Sequence, residues 1–250
     1  MDKTTENTQS NTTARQVSHR DHARTRPYPK RSYPQRSSPI RAQKRADDII
    51  PSSGENIRVI PLGGVEEMGR NMTMIEYKND ITVVDMGFMF KDDDTPGVDY
   101  ILPNTTYLED RKDKIRGVFI THGHLDHIGG IPYIMDRIGN PPLYTRALTS
   151  IMIKKRQDEF PHLPALDIKI VEKEDKIAVG DLKVKFFNVT HTIPDSMGLI
   201  IETPYGSIVT PGDIKLDHVD GVPTESEEKE FGKFKDEKVL LLLMDSTNVD

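Results

Sequence analysis

Apolar residues fall into many short stretches separated by glycine and polar turns, beginning after Asn56. Stretches of about 4–8 residues that alternate or stay continuously apolar between such turns are typical of β-strands. The tight turn at residues 78–80 joins two of them into a hairpin. The predicted strands are residues 57–62, 71–77, 81–85, 115–121, 141–145, 167–171, 176–179, 182–188, 199–203 and 207–210.

Helical spacing of apolar residues occurs in two places. Residues 131–138 carry Pro132 in the first turn, where proline fits a helix, and residues 147–160 repeat apolar side chains at helical intervals. Residues 223–238 are dominated by charge and predict a surface helix or loop. The apolar run 239–244 is bounded by charge and predicts a buried central strand. Many strands with two interposed helices indicate a layered α/β fold with a largely mixed sheet.

The first 53 residues differ from the rest in being rich in Ser, Thr, Pro, Gln and Arg, which predicts a disordered tail. Residues 1–50 carry 11 Lys/Arg against 5 Asp/Glu, a net charge of +6, whereas the remaining residues carry 23 against 35, a net charge of −12. Basic residues of the tail interleave with Tyr28 and Tyr33, which suits loose, salt-sensitive contact with nucleic acid. A purely solubilising tail is the alternative.

The chain has no cysteine, so His and carboxylate side chains must hold any metal. Its first residues lack the apolar core of a signal peptide, and its longest apolar run is far too short to cross a bilayer. We therefore expect a cytoplasmic protein that does not associate with membranes.

Residues 121–127 read Thr-His-Gly-His-Leu-Asp-His and follow a predicted strand directly. Neutral imidazole nitrogens and a carboxylate at this spacing are the mixture that borderline divalent metals prefer. A strand-to-helix turn would point His122 and His124 to one side and present Asp126 and His127 to a neighbouring point, which suits two ions about 3.5–4 Å apart. The alternative is that Asp126 serves only as a helix N-cap amid incidental histidines.

Two more candidate ligands follow strands elsewhere in the chain. His191 comes after the strand 182–188, and Asp213 comes after the strand 207–210. Each is weak alone, because a single His after a strand is more often structural and Gly-Asp is usually a turn. Strand ends that meet at one rim of a sheet can nevertheless bring such residues to the motif. The histidines without such a setting are His19, His22, His162 and His218.

The motifs together resemble ribonuclease J, of the metallo-β-lactamase superfamily. The resemblance runs in register over residues 57–250 and departs from the family at Leu125, where members carry a Glu that is not a ligand. The stretches that carry it are Leu62-Gly63-Gly64-x-Glu66-Glu67-Met68-Gly69-x-Asn71, Val84-Asp85-x-Gly87, residues 121–130, His191-x-Ile193-Pro194-Asp195-Ser196, Gly212-Asp213-x-Lys215-x-Asp217 and Asp245-Ser246-Thr247-Asn248.

The resemblance implies an αββα four-layer sandwich with two zinc ions at its rim, manganese being the open alternative. His122, His124 and His191 are expected to hold one ion, Asp126 and His127 the other, with Asp213 bridging. Asp85 and Asp245 are expected to brace these ligands. The family continues into a β-CASP domain, returns to complete the sandwich and supplies a last metal histidine. Residues 54–250 are therefore expected to be only the first part of the metallo-β-lactamase domain.

The function implied is hydrolysis of RNA, both internally and from the 5′ end, in rRNA processing and mRNA decay. Water activated between the ions attacks phosphorus, with Asp126 and His127 as catalytic residues. RNA is the expected partner, and the full-length protein is expected to be a homo-oligomer. Two alternatives stay open: a small-molecule hydrolase of the thioesterase or lactonase type, and a non-catalytic metal-bound module that binds RNA.

Overall fold

The computed structural model describes residues 54–91, 96–218 and 220–246. The predicted tail, residues 1–53, and the final Thr247 and Asn248 of the last motif lie outside the described residues. In chain order the strands are β1 (Ile57–Gly63), β2 (Met72–Tyr77), β3 (Asp80–Val84), β4 (Met89–Phe90), β5 (Tyr100–Ile101), β6 (Ile115–Phe119), β7 (Leu143–Thr145), β8 (Ile168–Ile170), β9 (Lys176–Val179), β10 (Leu182–Asn188), β11 (Met197–Thr203), β12 (Gly206–Thr210) and β13 (Val239–Leu242).

The helices in the described part of the chain are short, and the longest of them has 11 residues. Among the described residues, no helix combines the length and apolarity needed to cross a membrane. The α-helices are α1 (Thr106–Glu109), α2 (Leu125–Ile128), α3 (Ile131–Ile134), α4 (Ala147–Gln157) and α5 (Glu225–Phe231), with 3₁₀ turns at Lys112–Lys114 and Gly232–Asp236.

The strands form two main sheets. The first has the order β1-β2-β3-β6-β7-β8 and is mixed, with antiparallel pairing from β1 to β3 and parallel pairing from β3 to β8. The second has the order β13-β12-β11-β10-β9 and is antiparallel except for the parallel pair β12 and β13. The predicted mixed sheet is thus confirmed, and β4 pairs with β5 in a separate small ribbon.

Three cores define the layers. Successive side chains of a strand point to opposite faces of its sheet, so each sheet can bury apolar side chains on both of its faces. Between the sheets, Ile75 and Phe119 of the first sheet share one core with Leu199 and Ile208 of the second. On the outer face of the first sheet, the core is formed with α1, α2, α3 and α4; its members include Met74, Val118, Leu108, Ile128, Ile134 and Ile153.

The third core lies on the outer face of the second sheet. Phe187 and Val209 pack there against Phe231 and Phe234, which come from α5 and the 3₁₀ turn after it. The order of layers is therefore helix, sheet, sheet, helix, as the four-layer prediction requires. For residues 223–238, predicted as a surface helix or loop, the structure has the helix α5, which begins with a capping box between Thr224 and Glu227.

The prediction of a buried central strand at 239–244 is wrong. The strand is shorter, Val239–Leu242, and all four of its side chains are exposed. Among the described residues it pairs with β12 alone, so it stands at the edge of the sheet. A continuous apolar run indicates a strand that can be covered on both faces, but the pattern does not say what covers it.

Smaller differences concern the helices. The predicted helix 131–138 ends as an α-helix at Ile134, and the predicted helix 147–160 ends at Gln157. The sequence did not predict α1, β4 or β5, because elements of two to four residues are too short to show a hydrophobic period.

Candidate metal centre

The motif at residues 121–127 runs from the end of β6 into α2, as the predicted strand-to-helix turn requires. His124 is the N-cap of α2 in an extended conformation, and no side chain caps the helix. Asp126 lies within the first turn instead, with its Oδ2 atom 3.3 Å from Nε2 of His127. The alternative in which Asp126 is only an N-cap is therefore wrong.

Asp85 ties the motif to the end of β3. Its backbone N–H donates to the carbonyl of Phe119 at 2.9 Å, and its φ of +59° is unusual for a residue with a side chain. Its carboxylate accepts bonds from the backbone N–H of Thr121 at 2.8 Å and from the Thr121 hydroxyl. It also meets Nδ1 of His127 at 2.8 Å. Asp85 thus braces His127, in the position expected from the sequence.

Gly87 lets the backbone of the motif come close to the chain after β3. The N–H of Met86 donates to the carbonyl of His127 at 2.8 Å, and the N–H of Gly130 donates to the carbonyl of Met86 at 2.9 Å. A Cβ atom on Gly87 would overlap the backbone carbonyl of Asp126. This close approach fixes where α2 begins and therefore where Asp126 and His127 lie.

His191 and Asp213 come from loops that follow β10 and β12 of the second sheet. The N–H of Lys215 donates to the carbonyl of Thr190 at 2.7 Å, which ties the two loops together. A bond of 3.0 Å from the N–H of Met197 to the carbonyl of Thr121 ties the start of β11 to the motif. The ends of separate strands therefore meet at one rim.

The six candidate ligands converge at this rim. Nε2 of His191 lies 3.2 Å from Nδ1 of His124 and 3.7 Å from Oδ2 of Asp213. Nε2 of His122 lies 3.0 Å from Nδ1 of His124 and 3.9 Å from Oδ2 of Asp213. The other oxygen of Asp213, Oδ1, lies 3.2 Å from Nε2 of His127.

Two groups of donor atoms result, each with all its atoms within 4.8 Å of one another. They share Asp213, the residue expected to bridge. The first group is His122, His124, His191 and Asp213, and the second is Asp126, His127 and Asp213.

Burial sets the protonation of His122 and His191 in the first group. Burial, and next the charge of His127, lower the pKa of His122 to about 3. Burial also lowers the pKa of His191, against the opposing effect of Asp213. Both imidazoles are therefore neutral at physiological pH, which is the form that binds metals.

The second group has the opposite character. Burial lowers the pKa of His127, but the carboxylates of Asp85, Asp126 and Asp213 outweigh it and raise the pKa well above its usual value. Burial raises the pKa of Asp213, yet the hydrogen bond from His127 and the charge of His127 lower it to about 2. A cation that meets Nε2 of His127 takes the place of a proton there.

The donor set fits divalent ions. It contains imidazole nitrogens and carboxylate oxygens in two clusters, and the Nδ1 atom of His127 is already turned away toward Asp85, so Nε2 faces the other donors. An open cavity of about 830 Å³ borders all the donors except His122 and reaches the loop 63–69 and Asp245. Asp245 acts on His191 through its charge, and a bracing hydrogen bond from it stays a prediction.

Comparison with known proteins agrees with this geometry. The sequence model of the metallo-beta-lactamase superfamily matches residues 65–236, well over half of the chain. The chain belongs to the metallo-beta-lactamase superfamily. A solved structure of a protein of unknown function from Enterococcus faecalis V583 is similar with a TM-score of 0.54 and 21% identity, covering 76% of this chain and 50% of that one, which supports the fold alone.

The resemblance to ribonuclease J within this superfamily is also confirmed. The chain is 36% identical over 196 residues to ribonuclease J2 of Bacillus subtilis, covering 78% of this chain and 35% of that protein. It is 39% identical over 201 residues to ribonuclease J of Corynebacterium glutamicum, covering 79% of this chain and 27% of that protein. It is 37% identical over 205 residues to ribonuclease J of Thermus thermophilus, covering 78% of this chain and 35% of that protein. The chain therefore spans about a third of the length of these relatives.

Sequence reasoning missed two residues of the site. Thr121 bonds Asp85 through both its backbone and its hydroxyl, and Asn71 reaches Asp126 from the loop between β1 and β2. Both stand in the quoted motifs, but nothing in their spacing assigns them a partner. His162 and His218 take no part in either donor group, as expected.

Proposed function

We propose that this chain carries the metal centre of a ribonuclease that hydrolyses RNA phosphodiester bonds, both internally and from the 5′ end. The observation that carries the proposal is the pair of donor groups that share Asp213. Two neighbouring ions are a common arrangement in enzymes that cleave phosphodiesters. Similarity to several ribonucleases J supports RNA as the substrate.

The ions we propose are two zinc ions, with manganese as the alternative that the same His and Asp donors accept. His122, His124 and His191 would hold one, Asp126 and His127 the other, and Asp213 would bridge. When bound, the pair supplies Lewis acidity, which lowers the pKa of water and offsets the charge of the phosphate oxygens.

The roles of the protein's own groups follow from their surroundings. Burial raises the pKa of Asp126, but the bond and charge of His127 outweigh it and lower the pKa overall. Asp126 is thus ionised near neutral pH and is also the most exposed of the acidic donors, with 39% of its side chain accessible. We assign to Asp126 the role of orienting an attacking water and accepting its proton. Attack by water leaves a 5′-phosphate and a 3′-hydroxyl.

We extend the proposal to the cellular role, the location and the assembly of the protein. We place the activity in rRNA processing and mRNA decay in the cytoplasm, within a full-length protein that is a homo-oligomer. Residues 1–53 would be a basic tail that attracts RNA to an acidic body, and residues 54–250 the first part of the catalytic domain.

The test is cleavage of 5′-labelled and internally labelled RNA by the zinc- or manganese-loaded chain. We expect products with 5′-phosphate ends, and we expect His124→Ala to abolish them, with His162→Ala as the matched control outside the donor groups. Hydrolysis of a thioester but not of RNA by the same sample would favour the small-molecule hydrolase. RNA binding without turnover, with both ions bound, would favour the non-catalytic module.

A further inference from the structure

Asp126 is more exposed than the two donors that share its group. Its side chain is 39% accessible, against 3% for His127 and 24% for Asp213. A carboxylate on the solvent side of a helix turn can rotate toward water, so its direction must be set by a neighbour. His127 offers one contact at 3.3 Å, but it is itself a candidate ligand.

Asn71 supplies a neighbour that is not a candidate ligand. Its Nδ2 atom donates to Oδ2 of Asp126 at 3.1 Å and lies 3.1 Å from Nε2 of His127. The lone pair of an amide nitrogen is delocalised into its carbonyl, so this nitrogen donates to a carboxylate but does not bind a cation. The side chain of Asn71 therefore contacts Asp126 and His127, the two donors that belong to the second group alone.

The position of Asn71 is fixed independently of its side chain. Its backbone N–H donates to the carbonyl of Asp126 at 3.0 Å, and its carbonyl accepts from the N–H of Gly87 at 2.9 Å. A Cβ atom on Gly64 would overlap Oδ1 of Asn71, so the glycine leaves room for the oxygen end of the amide. The nitrogen end is left facing Asp126.

The loop before Asn71 is fastened by one carboxylate. Glu67 accepts from the backbone N–H of Gly64 at 2.9 Å and from Nε and Nη2 of Arg70 at 2.6 Å each. Gly64, Glu66, Gly69 and Arg70 all have positive φ, the conformation that such a compact loop requires. The strain at Glu66 and Arg70 is tolerated because the loop is closed by these bonds, and the closed loop delivers Asn71 to the site.

We propose that Asn71 is a positioning residue of the metal centre, whose amide holds the Asp126 carboxylate in the direction in which it meets His127 and Asp213. This inference rests on the proposed function, since it concerns the same centre. It predicts that loss of the amide weakens binding of an ion by Asp126, His127 and Asp213 by about 10–100-fold, the effect typical of removing a hydrogen-bond partner of a metal ligand. Binding by His122, His124 and His191 should change little.

The experiment is titration of the metal-free chain with Co²⁺, followed by visible absorption and by competition with a chromophoric chelator. His191→Ala identifies the binding step that belongs to the first group. Asn71→Leu removes the amide at nearly constant shape, and Asn71→Ala removes it without adding bulk if the first variant folds poorly. Asn104→Leu is the matched control, because Asn104 is exposed and its side chain bonds the backbone N–H of Thr106.

Selective weakening of the second step by Asn71→Leu or Asn71→Ala, with unchanged thermal unfolding of the metal-free protein, would support the proposal. Equal weakening of both steps, or no change in either, would overturn it. A wild-type chain that binds no Co²⁺ would instead refute the metal centre of the proposed function. The two failures are therefore distinguishable without any measurement of RNA cleavage.

Discussion

The donors that follow β6 are surrounded by hydrogen bonds, whereas those that follow β10 and β12 are held mainly through the loops that carry them. We call His122, His124, Asp126 and His127 the first-sheet half, and His191 and Asp213 the second-sheet half. Side chains of His122 and His127 are 1% and 3% accessible, against 13% for His191 and 24% for Asp213. Asp126 is the exception in the first-sheet half, with 39% of its side chain accessible.

The first-sheet half also makes more hydrogen bonds to the surrounding fold than the second-sheet half does. Asp85 bonds both Thr121 and His127, and the backbone of the motif is joined to the residues after β3. Nδ1 of His191 is buried, yet no partner for it is found among the described residues. The first-sheet half is thus arranged by the fold itself, while the second-sheet half gains most from an ion. The free energy of unfolding of the metal-free protein should show this difference.

The largest loss of stability is expected from Gly87→Ala. A Cβ there overlaps the carbonyl of Asp126, so the motif must move away from β3. We expect a loss of about 3 kcal/mol or more in the free energy of unfolding, measured by urea denaturation, since backbone overlap is costly to relieve. Gly232→Ala is the control, because nothing lies within 4 Å of a Cβ at that position. Equal stability of the two variants would contradict the close approach.

A smaller loss is expected from Asp85→Asn. The amide keeps the shape but can no longer accept bonds from both Thr121 and His127. We expect about 1–3 kcal/mol of lost stability without metal, and about 10–100-fold weaker zinc binding. Asp167→Asn changes a carboxylate that is half exposed and should have little effect on either. Loss of zinc affinity with wild-type stability would mean that the first-sheet half is not pre-arranged.

A still smaller loss of stability is expected from His191→Ala, even though zinc binding should fall steeply. Removing a side chain with an unpaired nitrogen should change the free energy of unfolding of the metal-free protein by about 0.5 kcal/mol or less. The gain in melting temperature on adding zinc should shrink, because binding to the folded state supplies it. A large loss of unfolding free energy in the metal-free protein would mean that the fold holds His191 without an ion, as it holds the first-sheet half.

The smallest effect on the centre is expected from deleting residues 1–50, which carry a net charge of +6. Zinc binding should not change. RNA binding should weaken, and its dependence on salt should flatten, because fewer counterions are released from the RNA. Filter binding across a series of salt concentrations measures both, and an unchanged slope would refute a role for the tail in RNA binding.

Much of this centre could be predicted because histidine and aspartate are recognisable as metal ligands from their residue type and spacing. The spacing of His122, His124, Asp126 and His127 is rare enough to indicate a metal site, and His191 and Asp213 follow recognisable strands. Their convergence could be expected because strand ends meet at the rim of a sheet. The spacing of the motif predicted the division between His122 and His124 on one side and Asp126 and His127 on the other, and the resemblance to ribonuclease J assigned His191 and Asp213 to it. The donor atoms lie in two such groups, and the binding of an ion by each group stays a prediction.

The supporting contacts could not be predicted in the same way. Asn71 precedes Asp126 by 55 residues, and only the folded chain shows that its amide reaches that carboxylate. The exposure of β13 could not be predicted either. An apolar run indicates that a strand can be buried, but it does not show whether another element packs against it. Short helices such as α2 carry no period of their own and are fixed by contacts with Gly87 and Met86.

The exposed edge at β13 has a practical consequence. Four consecutive apolar side chains flank a row of backbone groups that no other described strand occupies. Such an edge is a template on which another copy can add a strand. Concentrated solutions of this chain should therefore grow turbid on standing, and a lysine in place of Leu240 should keep them clear.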